Sequence, residues 1–339
     1  MTIKHLVISG GGPIGIMYLG AIEYLHDEGF FKMEEIESIY ATSIGTMIAV
    51  FISLNYDWET LNKYVIERPW NDVFKISAKQ IMDAYTNKGI FDIKPIEKTF
   101  KPLLEAKDLS LSITLKEFHE YVKKDLYFYA FDLNSYSTIE ISHKNYPDLL
   151  LVKAIYMSCT IPGIFIPTFL NNMCIIDGAP LANFPINYCL RDHDKDEILG
   201  FNCICTNNDG EKGSQNNIIT EESNILDYIL SMSVNSINYI TTSVKDEEIP
   251  NLFEITTTQS STMSIDGINN FLNSQEHRKS LFDIGFENAK KFIEKHKANN
   301  NSKEDKSKDD NKSIELSIDE SVTKVIVEVI IEQCSKIEP

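Results

Sequence analysis

Three short segments of this chain carry the groups that catalysis or ligand binding needs. The first is a glycine cluster at residues 10–15, directly after an apolar run and before a helix-like pattern. Glycines at such a turn let backbone N–H groups approach a ligand beside the positive end of a helix dipole. The turn can then cradle a dinucleotide pyrophosphate or stabilise the oxyanion of an acyl transfer. A tight turn without any ligand has the same sequence, so all three interpretations stay open.

The second segment places Ser43 between small residues, in Ala41-Thr42-Ser43-Ile44-Gly45, at a strand-to-helix junction. This is the layout of a nucleophile elbow, G-x-S-x-G, with Ala41 in place of the first glycine. A dinucleotide-binding fold would instead carry an acidic residue at the end of its second strand, and the nearby glutamates precede or begin that strand. Helix N-capping by Ser43 is the structural alternative.

The third segment supplies a base, which a serine nucleophile requires. Asp177 directly follows an apolar run and is followed by Gly178 and Ala179. An ordinary Asp-Gly turn is the alternative. No histidine occupies a comparable strand end, and His193 lies in a charge cluster that we interpret as solvated. The seven histidines are His5, His26, His119, His143, His193, His277 and His296.

The elements around these motifs predict an α/β fold. Strand patterns at residues 5–9 and 36–42 alternate with helix patterns at 16–26 and 45–54, which favours a parallel sheet with helices on both faces. Parallel neighbouring strands would bring the first two motifs to the carboxyl edge of the sheet, where open α/β folds bind ligands. Residues 58–125 look helical. Further strands are predicted over 126–132, 138–142, 173–176 and 198–205, and further helices over 149–158, 225–241 and 275–297.

Composition bounds the function and the domain organisation. The 339 residues are 43% hydrophobic and 24% charged, with a net charge of −18, which disfavours binding to nucleic acid. We predict one domain over residues 1–297, a disordered linker over 298–313 that contains a polar run, and a tail segment over 314–339. Residues 208–217 read as a polar loop.

The cysteine pattern and the absence of membrane signals predict a cytoplasmic protein. No C-x-x-C pair occurs, so we expect reduced, buried thiols. No apolar stretch approaches the ~20 residues that span a bilayer, and we see no signal-peptide pattern. The six cysteines are Cys159, Cys174, Cys189, Cys203, Cys205 and Cys334.

In their order and spacing, the three motifs together resemble the patatin-like phospholipase family, over about residues 5–295. The segment 154–165 and residues 285–289 also look like parts of that family. The resemblance implies a three-layer α/β/α fold with a mainly parallel central sheet. It implies hydrolysis of phospholipid acyl esters, of phospholipase A or lysophospholipase type, through an acyl-serine. Ser43 would be the nucleophile and Asp177 the proton acceptor, with no metal and no cofactor.

The same resemblance implies the supporting residues and the partner. The implied oxyanion hole comprises Gly10, Gly11, Gly12 and Gly15. The implied support of the elbow and of the D-G-A motif comprises Ala41, Thr42, Ile44, Gly45, Gly178 and Ala179. The implied partner is an acyl-ester lipid, met by peripheral contact with a membrane surface.

Two departures and two alternatives accompany this interpretation. The family usually carries a basic residue where this chain has Ile14, which puts a preference for anionic head groups in doubt, and Ala41 replaces the first elbow glycine. The alternatives are a catalytically silent lipid-binding protein of the same fold and a dinucleotide-dependent oxidoreductase. From the net charge we expect weak, salt-tolerant lipid contact that prefers neutral or disordered lipid. The apolar run at residues 163–170 could enter lipid, but we favour a place in the core.

Overall fold

The part of the chain that the structure describes contains ten strands, most of them rich in apolar residues. The computed structural model describes residues 2–206, 219–243, 248–258 and 265–298. The strands are β1 (His5–Ile8), β2 (Ser38–Thr42), β3 (Gly89–Phe91), β4 (Asp125–Asp132), β5 (Ser137–Ile141), β6 (Gly163–Phe165), β7 (Thr168–Leu170), β8 (Met173–Asp177), β9 (Ile198–Thr206) and β10 (Asn251–Thr258).

Helices connect and cover these strands. They are α1 (Gly15–Asp27), α2 (Ile44–Ser53), α3 (Trp58–Glu67), α4 (Trp70–Val73), α5 (Ala78–Asn87), α6 (Lys94–Glu105), α7 (Leu115–Val122), α8 (Leu151–Ser158), α9 (Ala179–Ala182), α10 (Ile186–Leu190), α11 (Ile225–Ser243) and α12 (Ile265–Asn273). Residues 275–298 are also helical. Within the described ranges, no helix has both the length and the apolar composition that a membrane crossing requires.

The central sheet has eight strands, and its main path runs β10-β9-β1-β2-β4-β8-β7, with β5 added to β4. The run from β10 to β4 is parallel, whereas β5, β7 and β8 pair in antiparallel fashion. Helices cover both faces, which confirms the predicted α/β/α fold with a mainly parallel sheet. All residues of β1 and β2 are buried because helices pack on both faces of these strands.

The long strand β4 brings the ends of β2 and β8 together. Phe128 and Tyr129 pair with both β2 and β5, so β2 and β5 lie on opposite edges of β4. The residues from Ala130 onward pair with both β5 and β8, so β8 lies on the edge that β2 occupies. Thr42 of β2 is paired with Tyr129, and Asp177 of β8 is paired with the next residue, Ala130. Two strands that run in opposite directions therefore end against each other.

Several elements differ from the sequence patterns. The region 58–125 is largely helical as predicted, but it contains β3, which forms a separate two-stranded sheet with β6. The strands β6, β7 and β10 were not predicted, because runs of three residues carry little periodic signal and β10 ends in polar threonines. The predicted core run 163–170 is mostly half-buried, and Phe169 is exposed.

The remaining regional predictions fall largely outside the described residues. These are the polar loop 208–217, the linker 298–313 apart from its first residue, and the tail 314–339. The chain divides into compact units at residues 1–289 and 290–339, and the structure describes residues 290–298 of the second unit as helical. Cys159, Cys174 and Cys189 are free thiols, and all three are buried.

Candidate active site

Ser43 lies on the sharp turn between β2 and α2. Its backbone is at φ 53° and ψ −127°, and only 6% of the residue is exposed. A positive φ strains a residue with a side chain, so the surrounding structure must hold this turn. The Ser43 N–H donates to Ser158 Oγ at 2.9 Å, and the Thr46 hydroxyl donates to the Ser43 carbonyl at 2.7 Å. Ser158 in turn donates to the Tyr129 carbonyl of β4 at 2.5 Å.

Small residues allow this turn to sit against the neighbouring chain. A Cβ at Gly45 would lie 2.5 Å from the Ile8 carbonyl oxygen and 2.9 Å from that of Ser9. Side chains do not approach backbone oxygens so closely, so this position accepts glycine because the end of β1 passes over it. Ala41, by contrast, lies fully buried in β2 at an ordinary strand position. This explains why the first glycine of the motif can be an alanine here.

We expect Gly45→Ala to destabilise the protein and to lower activity. Its methyl group would have to displace the backbone of β1 or of the elbow, at a cost of about 2 kcal/mol or more. Ala41→Gly is the matched control. It should cost only about 0.5–1 kcal/mol, through the conformational entropy of glycine, and should leave hydrolysis of a soluble ester within a few-fold of the parent rate. Urea unfolding and ester hydrolysis of both variants test this, and equal effects of the two substitutions would contradict it.

The glycine loop reaches the side chain of Ser43. A Cβ at Gly10 would lie 3.1 Å from Ser43 Cβ and 2.6 Å from Asn183 Oδ1, so the loop backbone passes directly beside the serine. The Gly10 N–H donates to the Asn183 carbonyl at 3.0 Å. The Gly15 N–H donates to the carbonyls of Gly12 and Pro13, within a 3-10 turn. Two of the four predicted oxyanion amides are therefore already engaged.

Asp177 ends β8 and is almost completely buried, with 4% of the residue exposed. Its Oδ1 accepts the Ala179 N–H at 2.9 Å, and its own N–H donates to the Thr160 carbonyl at 2.9 Å. Burial raises the pKa of Asp177 to about 6, while the Ser43 side chain and the Ala179 amide act in the opposite direction. Among the described residues, Oδ2 has no partner within strict hydrogen-bond geometry.

The glycine after Asp177 serves close packing. A Cβ at Gly178 would collide with the Tyr129 carbonyl of β4. The same carbonyl accepts the bond from Ser158, whose Oγ holds the Ser43 amide. One peptide of β4 therefore supports both the serine turn and the aspartate turn.

The supporting polar residues were not identified as such from the sequence. Ser158 is the last residue of the apolar helix α8, Thr160 follows two residues later, and Thr46 lies in the apolar helix α2. A polar residue inside an otherwise apolar helix end is the signal that could have identified them, since a buried hydroxyl needs a partner. Asn183, beside Gly10, carries a comparable signal, because it is the one polar residue in the apolar stretch 179–186.

Two pairs of histidines lie away from Ser43. His193 is half-buried and stacks on His5 with ring centroids 3.6 Å apart, and it contacts the Tyr40 hydroxyl at 3.2 Å. The His193 ring packs on β1 and β2, whereas its neighbours Arg191, Asp192 and Asp194 are exposed, as expected of a solvated charge cluster. His5 begins β1, whereas the glycine loop follows its other end.

One group of metal-ligating types occurs in the described part of the chain. His119 and His143 approach Asp125 at 3.3 and 3.8 Å, at the start of β4. Their rings stack in parallel, 3.7 Å apart, so the in-plane lone pairs lie side by side and do not converge on one point. Lys144 holds the other oxygen of Asp125 at 2.6 Å. This geometry is that of a packed ionic cluster.

Comparisons with known proteins agree with this architecture. A model of the patatin-like phospholipase family matches residues 6–190. An uncharacterised protein of Acanthamoeba polyphaga mimivirus is 25% identical over 240 residues, which cover 70% of this chain and 78% of that protein. A probable lipid hydrolase of Invertebrate iridescent virus 6 is 28% identical over 194 residues, which cover 57% of this chain and 65% of the relative, slightly less than two thirds.

Among solved structures, VipD from Legionella pneumophila superimposes with a TM-score of 0.51 at 16% identity. The alignment covers 87% of this chain and 67% of VipD, and at that identity it shows a shared fold. The family match spans more than half of the 339 residues and includes all three motifs. The chain belongs to the patatin-like phospholipase family.

Proposed function

We propose that this protein hydrolyses carboxylic esters of phospholipids through Ser43 and Asp177. Membership of the family and the lipid hydrolase among the relatives support lipid acyl hydrolysis as the activity class. The observation that carries the proposal is the meeting of β2 and β8 along β4. Thr42, which directly precedes the strained and nearly buried Ser43, pairs with Tyr129 of β4. The buried Asp177 pairs with the next residue of β4, Ala130.

The reaction proceeds in two halves with one base. The Asp177 carboxylate accepts the Ser43 proton while Oγ attacks the ester carbonyl, and the resulting tetrahedral oxyanion collapses to an acyl-serine. The proton passes from Asp177 to the departing alcohol oxygen. Asp177 then takes a proton from water, whose oxygen attacks the acyl-serine, and the proton returns to Ser43 Oγ as the fatty acid leaves. Ser43, Asp177 and one water molecule therefore supply every bond and proton that the reaction requires.

The amides of Gly11 and Gly12 form the oxyanion hole in this proposal. The Gly10 and Gly15 amides donate elsewhere, to Asn183 and to the 3-10 turn, so they are the weaker candidates among the four glycines. Gly12 has φ 55°, a backbone conformation that favours glycine. One such donor typically lowers the barrier by about 3 kcal/mol.

A serine-reactive fluorophosphonate tests the proposal directly. The full chain should label at one site, and labelling should compete with a short-chain soluble ester that the protein hydrolyses. Mass spectrometry of the labelled protein should place the adduct on Ser43. A silent lipid-binding protein would neither label nor hydrolyse, and a dinucleotide-dependent oxidoreductase would bind nicotinamide or flavin instead. Either result would reject the hydrolase.

The pH dependence of hydrolysis follows from the raised pKa of Asp177. The carboxylate is the base, so the protonated form below about pH 6 is inactive. We expect kcat/KM to rise about tenfold per pH unit below that value and to level off above it. The measurement is a pH–rate profile with a neutral short-chain ester, corrected for spontaneous hydrolysis. A profile that is flat from about pH 4 to pH 8 would exclude Asp177 as the base.

A further inference from the structure

Helix α5 presents apolar side chains to solvent. None of its residues is buried, although it is a regular helix whose N-terminus is stabilised by a capping box between Ser77 and Gln80. Tyr85 is 95% exposed and Met82 is 80% exposed, and Ile81 beside them is also exposed. A helix that packs on a core buries its apolar stripe, so α5 is not held by core packing of this kind. The free energy falls when an apolar phase or a partner removes such side chains from water.

This helix is connected to the elements that carry the site. It leads into β3, which pairs with β6, and the Gln80 side chain donates to the Ile90 carbonyl at 3.3 Å. β6 lies three residues after Thr160, whose carbonyl holds the Asp177 amide. In β7, Phe169 is 61% exposed, and Lys88 Nζ lies 5.9 Å from the centroid of its ring. Lys88, at the end of α5, therefore lies beside Phe169 of β7, which pairs with Cys174 of the strand that ends at Asp177.

The same surface is basic, in contrast to the rest of the chain. Three lysines lie between residues 75 and 88, against the single acid Asp83, while the whole chain has a net charge of −18. Lys75, Lys79 and Lys88 are all exposed, and Lys79 pairs with Asp83 at 3.0 Å. We call this surface the α5 face. Its members are Lys75, Ile76, Lys79, Ile81, Met82, Tyr85, Lys88 and Phe169.

We propose that the α5 face is the surface through which the protein docks on anionic lipid aggregates. This inference rests on the proposed function, since it identifies how the substrate phase is met. The exposed apolar side chains of α5, with Lys79 on the helix and Lys75 and Lys88 at its two ends, have the composition of an interfacial segment, which inserts the apolar groups and places the lysines at lipid phosphates. Charges more than about 8 Å from the surface are screened at physiological salt, so the local lysines outweigh the distant acids.

The α5 face and the net charge of the chain predict opposite lipid preferences and opposite salt dependences. The total of −18 predicts weak, salt-tolerant contact with neutral lipid, whereas the α5 face predicts tighter, salt-sensitive binding to anionic lipid. Each lysine near an anionic surface strengthens binding about fivefold. Loss of two lysines should therefore weaken binding about 25-fold, and reversal of their charge should weaken it further.

The test is co-sedimentation of full-length Ser43→Ala protein with vesicles, so that no lipid is consumed. The vesicles contain phosphatidylcholine alone or phosphatidylcholine with phosphatidylserine, at low and at raised salt. In this background, Lys79→Glu with Lys88→Glu should lose at least about 25-fold in binding to the anionic vesicles. Met82→Ser with Tyr85→Ser should lose binding by at least tenfold at both salt concentrations, because the apolar contribution is not screened.

Matched controls lie on other helices. Lys101→Glu replaces an exposed lysine that also pairs four residues along its helix, with Glu105 at 3.7 Å. Tyr121→Ser replaces an exposed tyrosine of α7. Both controls should bind anionic vesicles within threefold of the parent. The proposal is overturned if the α5 variants bind as the controls do, or if neutral and anionic vesicles bind equally.

A second readout separates this proposal from the proposed function. With Ser43 intact, the α5 variants should hydrolyse a soluble short-chain ester at the parent rate, because the face does not contact the reacting atoms. If the parent hydrolyses no ester yet binds anionic vesicles, the hydrolase fails while the docking surface stands. If gel filtration shows a concentration-dependent dimer that Met82→Ser with Tyr85→Ser abolishes, and vesicle binding is unchanged, the face is an interface between two copies and the lipid proposal is overturned.

Discussion

Replacement of Ser43 by alanine is expected to lower ester hydrolysis by a factor on the order of 10⁴ or more. The reaction then has no nucleophilic oxygen, and the amides of the glycine loop can contribute only the residual rate that an oxyanion hole supports. The measurement is kcat/KM with a soluble short-chain ester, together with fluorophosphonate labelling. Both signals should disappear in the same variant, since they depend on the same hydroxyl.

The stability of this variant distinguishes chemistry from folding. The bonds that the Ser43 turn makes to Ser158 and Thr46 come from the Ser43 N–H and carbonyl, and alanine keeps both backbone groups. We therefore expect the midpoint of urea unfolding to stay nearly unchanged. Ser53→Ala is the matched control, because Ser53 is buried in the adjacent helix and its Oγ has no hydrogen-bond partner among the described residues. If Ser43→Ala kept as much activity as Ser53→Ala, Ser43 would not be the nucleophile.

Asp177→Asn is expected to lower activity by about 10³-fold or more while stabilising the folded protein at neutral pH. An amide at this position cannot accept the Ser43 proton, so the first step of the reaction loses its base. The substitution also removes a buried charge that has no counter-ion in the described part of the site. A variant that loses activity and gains stability would show that the buried Asp177 carboxylate destabilises the fold and is kept for the reaction.

The sign of the stability change follows from the pKa of Asp177. The folded-state value of about 6 lies above the ordinary value of 3.8, so the folded protein binds this proton more tightly than the unfolded chain does. Its contribution to stability is therefore present below about pH 4 and is lost as the pH rises through 6. At about pH 8 the asparagine variant should be more stable by up to about 3 kcal/mol, and at about pH 4 the difference should vanish.

Asp132 provides the contrasting control, because it is a buried aspartate whose carboxyl is fully used. Its side chain accepts bonds from the hydroxyl of Ser135 and from backbone amides, including that of Cys174 at 2.9 Å, and these bonds lower its pKa. Asp132→Asn should destabilise the protein above the ordinary pKa of an aspartate, and its effect should fade on acidification. Parallel urea unfolding of both variants at two pH values tests this. Equal pH trends for the two would contradict the assigned environments.

The prediction of the fold was successful where the chain signals its structure locally. Residues 5–54 alternate between strand and helix patterns, and the observed elements follow them to within two residues. Helix α2 is apolar nearly all round and is buried nearly all round, as the pattern indicates. By contrast, β3, β6 and β7 have three residues each, which is too short for a period of two to stand out. Their pairing depends on partners more than sixty residues away or across an antiparallel turn.

The family, the order of the motifs and the two residue types proposed for catalysis could be predicted from the amino-acid sequence, because glycine, serine and aspartate at turns are local features. The meeting of the serine and aspartate turns could not, because it depends on the pairing of distant strands. Tyr129 and Ala130 must pair with β2 and β8 on one edge, and this register depends on contacts between distant segments. Burial by those same contacts raises the pKa of Asp177, and the bond from Gly10 to Asn183 engages one amide of the glycine loop. Such properties arise from packing, which no local pattern contains.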